Sequence, residues 1–250
     1  MRSFYLLIIV AIFGAIAVLA AAILLTSPAL IPVAALGAQE NGVKYAVDAP
    51  LPPPRYYTGI DFFTLNSDRN LTVIPLKSFR QQVTNYSCGA VAAMNVMSYY
   101  GRPVNNTDAD EVRVAHEIYP SVSEKTGMNP EQIMQWFRRN GWNATWGTGG
   151  SRDMLRGNLK SGIPTMVEWM DRGGHWVVVT GYDTRGTETV WDDVIIFADL
   201  VDCHDNRADG VTYFNYGEFD AMWFDARYFP ENMKDRAWVV AVPGNATLPA

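Results

Sequence analysis

The chain has 250 residues, of which 48% are hydrophobic and 18% charged. This composition is that of a globular protein with a sizeable core and argues against a disordered chain. The 26 acidic residues against 20 basic ones give a net charge of −6, so the composition provides no basic groove for nucleic acid. Two cysteines are too few for a disulfide scaffold.

The first predicted element is an unbroken run of 22 uncharged residues, 4–25. As a helix rising about 1.5 Å per residue, this run would cover a hydrocarbon core of about 30 Å. It is longer than the roughly 7 to 15 apolar residues of a secretory signal. We therefore predict that residues 1–28 form a membrane anchor with the bulk of the chain outside the cytoplasm. The alternative is a cleaved signal segment and a secreted protein.

A proline-rich linker is predicted over residues 29–58, because Pro50 and residues 52–54 favour extended polyproline geometry. Residues 59–250 then form one domain without internal repeats. Five glycosylation sequons are consistent with export of this domain. They are Asn70, Asn85, Asn105, Asn143 and Asn245.

Helices are predicted first and strands second along this domain. After a short β-like stretch at 71–76, an Ala-rich helix runs from Cys88 towards the stop signal Gly101, and three more helices begin at cap residues. Those caps are Thr107, Asn129 and Ser151. β-branched and aromatic runs follow at 164–170, 175–183, 189–200 and 236–244, with one short helix within 217–227. This order predicts an α+β fold with helices packed on an antiparallel sheet.

Cys88 stands where the Ala-rich helix begins. Backbone N–H groups and the positive end of the helix dipole favour thiolate at such a position, which is how a nucleophile is activated. A thiolate also needs a base, and the chain offers only His116, His175 and His204. His175 is the natural base, since it follows two glycines and begins a predicted strand that would hold the ring rigidly.

A third group must fix the orientation and tautomer of the imidazole. If the hairpin after His175 is centred near residue 187, antiparallel pairing places Asp199 opposite His175. Asp202 is the alternative, reached if the turn lies a residue or two later.

These residues resemble the C39-like, papain-fold cysteine peptidases over roughly residues 72–243. The resemblance implies a papain-like fold and peptide or amide bond chemistry, with Cys88 as nucleophile, His175 as proton carrier and Asp199 as orienting group. It also implies that Gln82, six residues before the cysteine and next to Gln81, donates to the oxyanion. The implied partner is a peptide or protein substrate, and neither a metal nor an organic cofactor is required.

The sequence departs from the exporter members of that family, because no GxxxxGK[ST] motif of an ATPase domain is present. Specificity for a double-glycine leader is therefore not carried over. Three alternatives remain open. A disulfide between Cys88 and Cys203 would abolish the nucleophile. A silent papain-like module could bind peptides or surface polymer on its aromatic residues. The acidic cluster from Asp199 to Asp209 could hold a metal, although its spacing favours a solvated loop.

Overall fold

Helices fill most of the first half of the domain, as the sequence predicts. The computed structural model describes residues 57–76, 80–202 and 209–248. Helices α1 to α5 span Cys88–Tyr99, Asp108–Ile118, Pro130–Arg139, Arg152–Lys160 and Tyr216–Met222. The predicted caps of α2, α3 and α4 are confirmed, because the side chains of Thr107, Asn129 and Ser151 each accept a hydrogen bond from a first-turn backbone N–H.

The strands form a single antiparallel sheet in the described part of the chain. Strands β1 to β7 span Leu71–Val73, Trp142–Gly147, Thr165–Trp169, His175–Asp183, Val194–Ala198, Val211–Asn215 and Trp238–Pro243. Their order is β2-β7-β3-β4-β5-β6, and β1 pairs with the far end of β4. The predicted α+β fold, with helices on an antiparallel sheet, is thereby confirmed.

Two strands and several element boundaries differ from the sequence prediction. Strands β2 and β6 were not expected, and helix α5 ends at Met222 although the pattern predicted helix within 217–227. The chain leaves the helix because Asp225 accepts backbone hydrogen bonds from three residues that follow it, which fixes a turn there instead.

Helix α1 lies at the centre of the core. Its residues from Gly89 to Val96 are all buried, and the helix packs against β4. A Cβ atom on Gly89 would lie 3.0 Å from Cδ1 of Ile133 and 3.2 Å from Cδ1 of Trp176. The glycine after Cys88 therefore allows the N-terminus of α1 to approach the beginning of β4 closely.

The predicted anchor at 1–28 and nearly all of the predicted linker at 29–58 lie outside the described residues. None of the helices within the described ranges is both long enough and apolar enough to cross a membrane. The predicted hydrophobic helix at the N-terminus and the domain boundaries stay predictions.

Candidate active site

A thiol and an imidazole meet at the contact between α1 and β4. Cys88 is the first residue of α1 and is partly exposed, whereas His175 is the first residue of β4 and is only 3% exposed. The His175 ring is hydrogen-bonded to the Cys88 sulfur, which also accepts from the backbone N–H groups of Gly89 and Trp176. The fold thus joins two residues that are far apart in the sequence.

A buried carboxylate lies on the other side of the imidazole. Nε2 of His175 is 3.0 Å from Oδ1 of Asp199, so Nδ1 is the ring nitrogen left for the sulfur. The register predicted for this hairpin is wrong by two residues, because Val178 pairs with Ala198 and residue 199 therefore stands opposite residue 177. Asp199 reaches His175 along the diagonal between neighbouring strands, a distance that long side chains can span.

The three side chains set each other's protonation. Burial raises the pKa of the Cys88 thiol, but the hydrogen bond and positive charge of His175 outweigh burial and lower that pKa below 9.0. Burial lowers the pKa of His175, yet its bonds to Asp199 and Cys88 raise it to about 10. Burial likewise raises the pKa of Asp199, while His175 and the backbone N–H groups after Asp199 bring it down to about 2. At neutral pH His175 is therefore an imidazolium and Asp199 a carboxylate, and the imidazolium favours the thiolate form of Cys88.

The segment before Cys88 is tied to the segment that carries Asp199. Nε2 of Gln81 donates to the Asp199 carbonyl at 2.9 Å, and the backbone N–H of Gln82 donates to the Leu200 carbonyl at 2.9 Å. Nε2 of Gln82 donates to the Thr84 carbonyl at 2.7 Å. One amide N–H of Gln82 is therefore used inside its own loop, and its second N–H is the one left for a bound oxyanion.

Glu111 of α2 holds this loop in place, a role that the sequence analysis missed. Its fully buried carboxylate accepts from the Ser87 hydroxyl at 2.5 Å, from the Val83 backbone N–H at 2.8 Å and from Nε of Arg80 at 2.9 Å. Charge-assisted bonds of this kind are strong in a buried setting. Glu111 therefore fixes the residues that lead into Cys88. An acid in the first turn of a helix gives no signal of such a role, since the dipole favours acids there anyway.

Two more buried acids adjoin the site and were also missed. Glu168 of β3 and Asp225, which follows α5, are each 1% exposed. Glu168 lines the same cleft as Cys88. A signal for Glu168 was available in the sequence, because an acid inside an otherwise apolar strand is rarely buried without a reason.

The structure bears on the disulfide, on the alternative orienting residue Asp202 and on the metal site that the sequence left open. The disulfide interpretation is wrong, since Cys88 is a free thiol. Cys203 and His204 lie outside the described residues. Asp202 accepts the backbone N–H of Gly210 at 2.7 Å and so belongs to the turn before β6. In the part of the chain that the structure describes, no group of three His, Cys, Asp or Glu side chains could hold a metal ion.

The chain has an antiparallel sheet under packed helices, and a thiol at a helix N-terminus lies beside an imidazole at the start of a strand. These features place the chain in the class of C39-type peptidase domains. The model of the Peptidase_C39 like family matches residues 74–212. The chain belongs to this family.

Solved structures of the same class share less than a fifth of their residues with this chain. A double glycine motif protease from an AMS/PCAT transporter, in complex with the leader peptide, is 18% identical over 70% of this chain and 95% of that one, with a TM-score of 0.43. The peptidase domain of Streptococcus ComA, a bi-functional ABC transporter involved in quorum sensing, is 16% identical over 66% of this chain and 96% of that one, with a TM-score of 0.45. No curated protein matches the chain.

Proposed function

We propose that the chain is a thiol peptidase that hydrolyses a peptide or amide bond through Cys88, His175 and Asp199. The observation that carries the proposal is the placement of the Cys88 thiol at a helix N-terminus beside His175, whose ring is bonded to Asp199. This placement lowers the pKa of Cys88 and raises that of His175 to about 10. A cysteine that merely fills the core would be an uncharged thiol, since burial alone favours the neutral form. The family assignment supports the same reaction class.

In the first half of the reaction the Cys88 thiolate attacks the carbonyl carbon, and negative charge develops on the carbonyl oxygen. The His175 imidazolium gives its proton to the leaving nitrogen as the C–N bond breaks, which leaves a thioester on Cys88. Water then attacks the thioester while His175 takes the proton of that water, the C–S bond breaks to restore the Cys88 thiolate, and the carboxylic acid product departs. Asp199 remains ionised and holds the ring in one orientation throughout.

The oxyanion has two proposed donors. They are the backbone N–H of Cys88 and the second amide N–H of Gln82, whose first N–H is bonded to the Thr84 carbonyl. Where it has been measured in hydrolases, one such donor stabilises the transition state by about 3 to 4 kcal/mol. The bonds from Gln81 and Gln82 to residues 199 and 200 would hold the Gln82 amide at a fixed position relative to the Asp199 carboxylate.

We also propose that the reaction takes place outside the cytoplasm on an exported peptide or protein. The apolar run at 4–25 supports a membrane anchor, and the sequons support export. The mechanism requires neither a metal nor an organic cofactor.

The test is the alkylation of Cys88 by iodoacetamide at pH 6.5, with the modified residue mapped by mass spectrometry in the full-length chain. An ordinary thiol is only about 1% ionised at this pH, so an ion-paired thiolate is expected to react up to about a hundredfold faster. His175→Ala should bring the rate down to that of an ordinary thiol. His116→Ala is the matched control, because His116 is exposed and its ring is hydrogen-bonded to the Pro120 carbonyl, not to Cys88.

The same proteins should be incubated with a library of fluorescence-quenched peptides. Wild type and His116→Ala are expected to cleave members of the library, and Cys88→Ala and His175→Ala are not. A Cys88 that reacts at the same rate in wild type and in His175→Ala would refute the proposal. Fast alkylation without cleavage of any peptide would favour the alternative of a binding module.

A further inference from the structure

A buried acid without a hydrogen-bond donor lies in the wall of the cleft that contains Cys88. This cleft is also lined by Gly174, Trp176, Tyr228 and Glu168. Both carboxyl oxygens of Glu168 are fully buried, and neither accepts a hydrogen bond from a described residue. The exposed side chain of Glu124 adds a third acid at the edge of the same cleft.

Asp225 lies directly beside Glu168. A Cβ atom placed on Gly174 would be 2.5 Å from Oδ2 of Asp225 and 2.5 Å from Oε1 of Glu168, so these two oxygens are at most 5.0 Å apart. Only glycine leaves room for both acids here. Carboxyl groups at this separation attract each other only if one of them carries a proton, and Glu168 and Asp225 are placed to share one.

The turn after α5 accounts for the burial of Asp225 but not for the burial of Glu168. Oδ1 of Asp225 accepts the backbone N–H groups of Arg227, Tyr228 and Phe229 at 3.1, 2.6 and 2.6 Å, whereas its Oδ2 has no hydrogen-bond partner. Within the described part of the chain, the side chain of Glu168 bonds only to Asp225, through the proton that the two acids share. Burial raises the pKa of Glu168 well above its usual range, and the charges of Asp225 and Cys88 raise it further. Glu168 therefore costs stability in the free protein, which points to a partner that arrives with the substrate.

No cation of the described residues neutralises the acid pair. Neither Glu168 nor Asp225 forms an ion pair with a lysine, arginine or histidine in the ranges 57–76, 80–202 and 209–248. Arg227 bonds Asp225 only through its backbone N–H, and its guanidinium carbon lies 5.2 Å from the centroid of the Tyr228 ring. The counter-charge must therefore come from outside this part of the chain.

We propose that Glu168 and Asp225 form a subsite that binds an ammonium group of the substrate next to the bond attacked by Cys88. The inference rests on the proposed function and specifies its substrate class. An ammonium group carries three N–H donors, and the site offers three oxygens without donors, two on Glu168 and one on Asp225. As the ammonium binds, the proton shared by the two acids leaves to solvent, and the ammonium becomes their counter-ion. The group can be a lysine side chain or the free amino terminus of a peptide.

The experiment measures kcat/KM for fluorescence-quenched peptides that differ at one position at a time. Each position on either side of the cleaved bond carries lysine, norleucine or glutamate, and every peptide is made with an acetylated and with a free amino terminus. Wild type is expected to prefer lysine over norleucine at one position, or the free over the acetylated terminus, by about tenfold or more. Glutamate at that position should be the poorest of the three.

Glu168→Gln is the informative variant, because glutamine has the same shape and its amide can still donate to Asp225. This variant should lose the preference, so that norleucine and lysine peptides are cleaved at similar rates. Glu188→Gln, which changes an exposed acid away from the cleft, should keep the preference.

Failure of the inference and failure of the proposed function are separable. Equal cleavage of lysine and norleucine peptides at every position, with equal cleavage of both termini, would overturn the subsite and leave the peptidase intact. A preference that survives in Glu168→Gln would do the same. An unreactive Cys88 with no cleavage at all would overturn both. If Glu168→Gln does not fold, the preference of wild type and its loss in Asp225→Asn decide the question.

Discussion

Replacing Asp199 with asparagine tests the electrostatic unit at the centre of the site. The pKa of Asp199 falls from an ordinary 3.8 to about 2, and most of the lowering comes from His175. Since one pKa unit corresponds to about 1.4 kcal/mol, ionised Asp199 favours the imidazolium by about 2 kcal/mol. The coupling is mutual, so the thiolate–imidazolium pair loses about the same free energy in Asp199→Asn, a factor of about 30 in its population.

The assay is the pH dependence of the alkylation rate of Cys88 in the full-length chain, with Cys203→Ser as background. On the acidic limb the rate is proportional to the thiolate fraction, so Asp199→Asn should react about 30-fold more slowly there and reach half of its plateau at higher pH. Asp153→Asn, an exposed acid on α4, is the control. A rate for Asp199→Asn within about twofold of wild type on the acidic limb would refute the reasoning, because the contact of 3.0 Å would then carry no electrostatic coupling.

Two further predictions follow from the same contacts. Glu111→Ala removes the buried acceptor of Ser87, Val83 and Arg80. This variant should lower the free energy of unfolding, measured by urea titration, by about 3 to 5 kcal/mol. The control Glu131→Ala on α3 should change that free energy by less than about 0.5 kcal/mol. The kcat/KM of peptide cleavage should form a plateau across neutral pH. It falls as pH drops through the lowered pKa of Cys88, where the thiolate is protonated, and as pH rises through about 10, where His175 loses the proton needed by the leaving group. An equal loss of stability in Glu131→Ala and Glu111→Ala would contradict the first prediction. A kcat/KM that still rises above pH 10 would contradict the second.

The sequence predicts the elements of this fold well because their ends carry local signals. Thr107, Asn129 and Ser151 each cap a helix with a side-chain hydrogen bond, and this bond depends only on residues within one turn. The strands β3, β4, β5 and β7 are recognised by their β-branched and aromatic residues. Strand β2, with Asn143 and Gly147, carries that signal only weakly and owes its conformation to its partner β7. Strand β6 carries the signal over residues 211–214 and was missed although it was present.

The pairing of Cys88, His175 and Asp199 was predictable in outline and not in detail. A cysteine at a helix start and a histidine after two glycines are local features, and their contact needs only that α1 packs on β4. The register of β4 with β5 depends on the length of their turn and on an irregularity between Val179 and Gly181 that no local pattern encodes. The same carboxylate still reaches the ring because neighbouring diagonal positions lie within reach.

The roles of Glu111 and Asp225 are determined by tertiary structure alone, whereas Glu168 stands out in the sequence as an acid inside an apolar strand. Glu111 looks like any acid in a first helical turn until the loop before Cys88 folds over it. Asp225 becomes a turn acid only because α5 stops at Met222. Sequence reasoning therefore locates the reacting groups, whose chemistry needs rare residue types, and misses the supporting acids, which are common residues in uncommon surroundings.

The acid pair and the nucleophile form one electrostatic unit. Burial and the neighbouring Asp225 raise the pKa of Glu168 most, and charge on Cys88 adds to that rise. In the proposed reaction that charge leaves the sulfur as the carbonyl carbon is attacked, and the thioester that follows is neutral. The contribution of Cys88 to the raised pKa of Glu168 therefore weakens along the reaction, at the stage when an ammonium in the subsite favours ionised Glu168. Burying an acid beside a thiolate raises the free energy of the resting protein. This free energy is recovered only while a cationic substrate acylates Cys88.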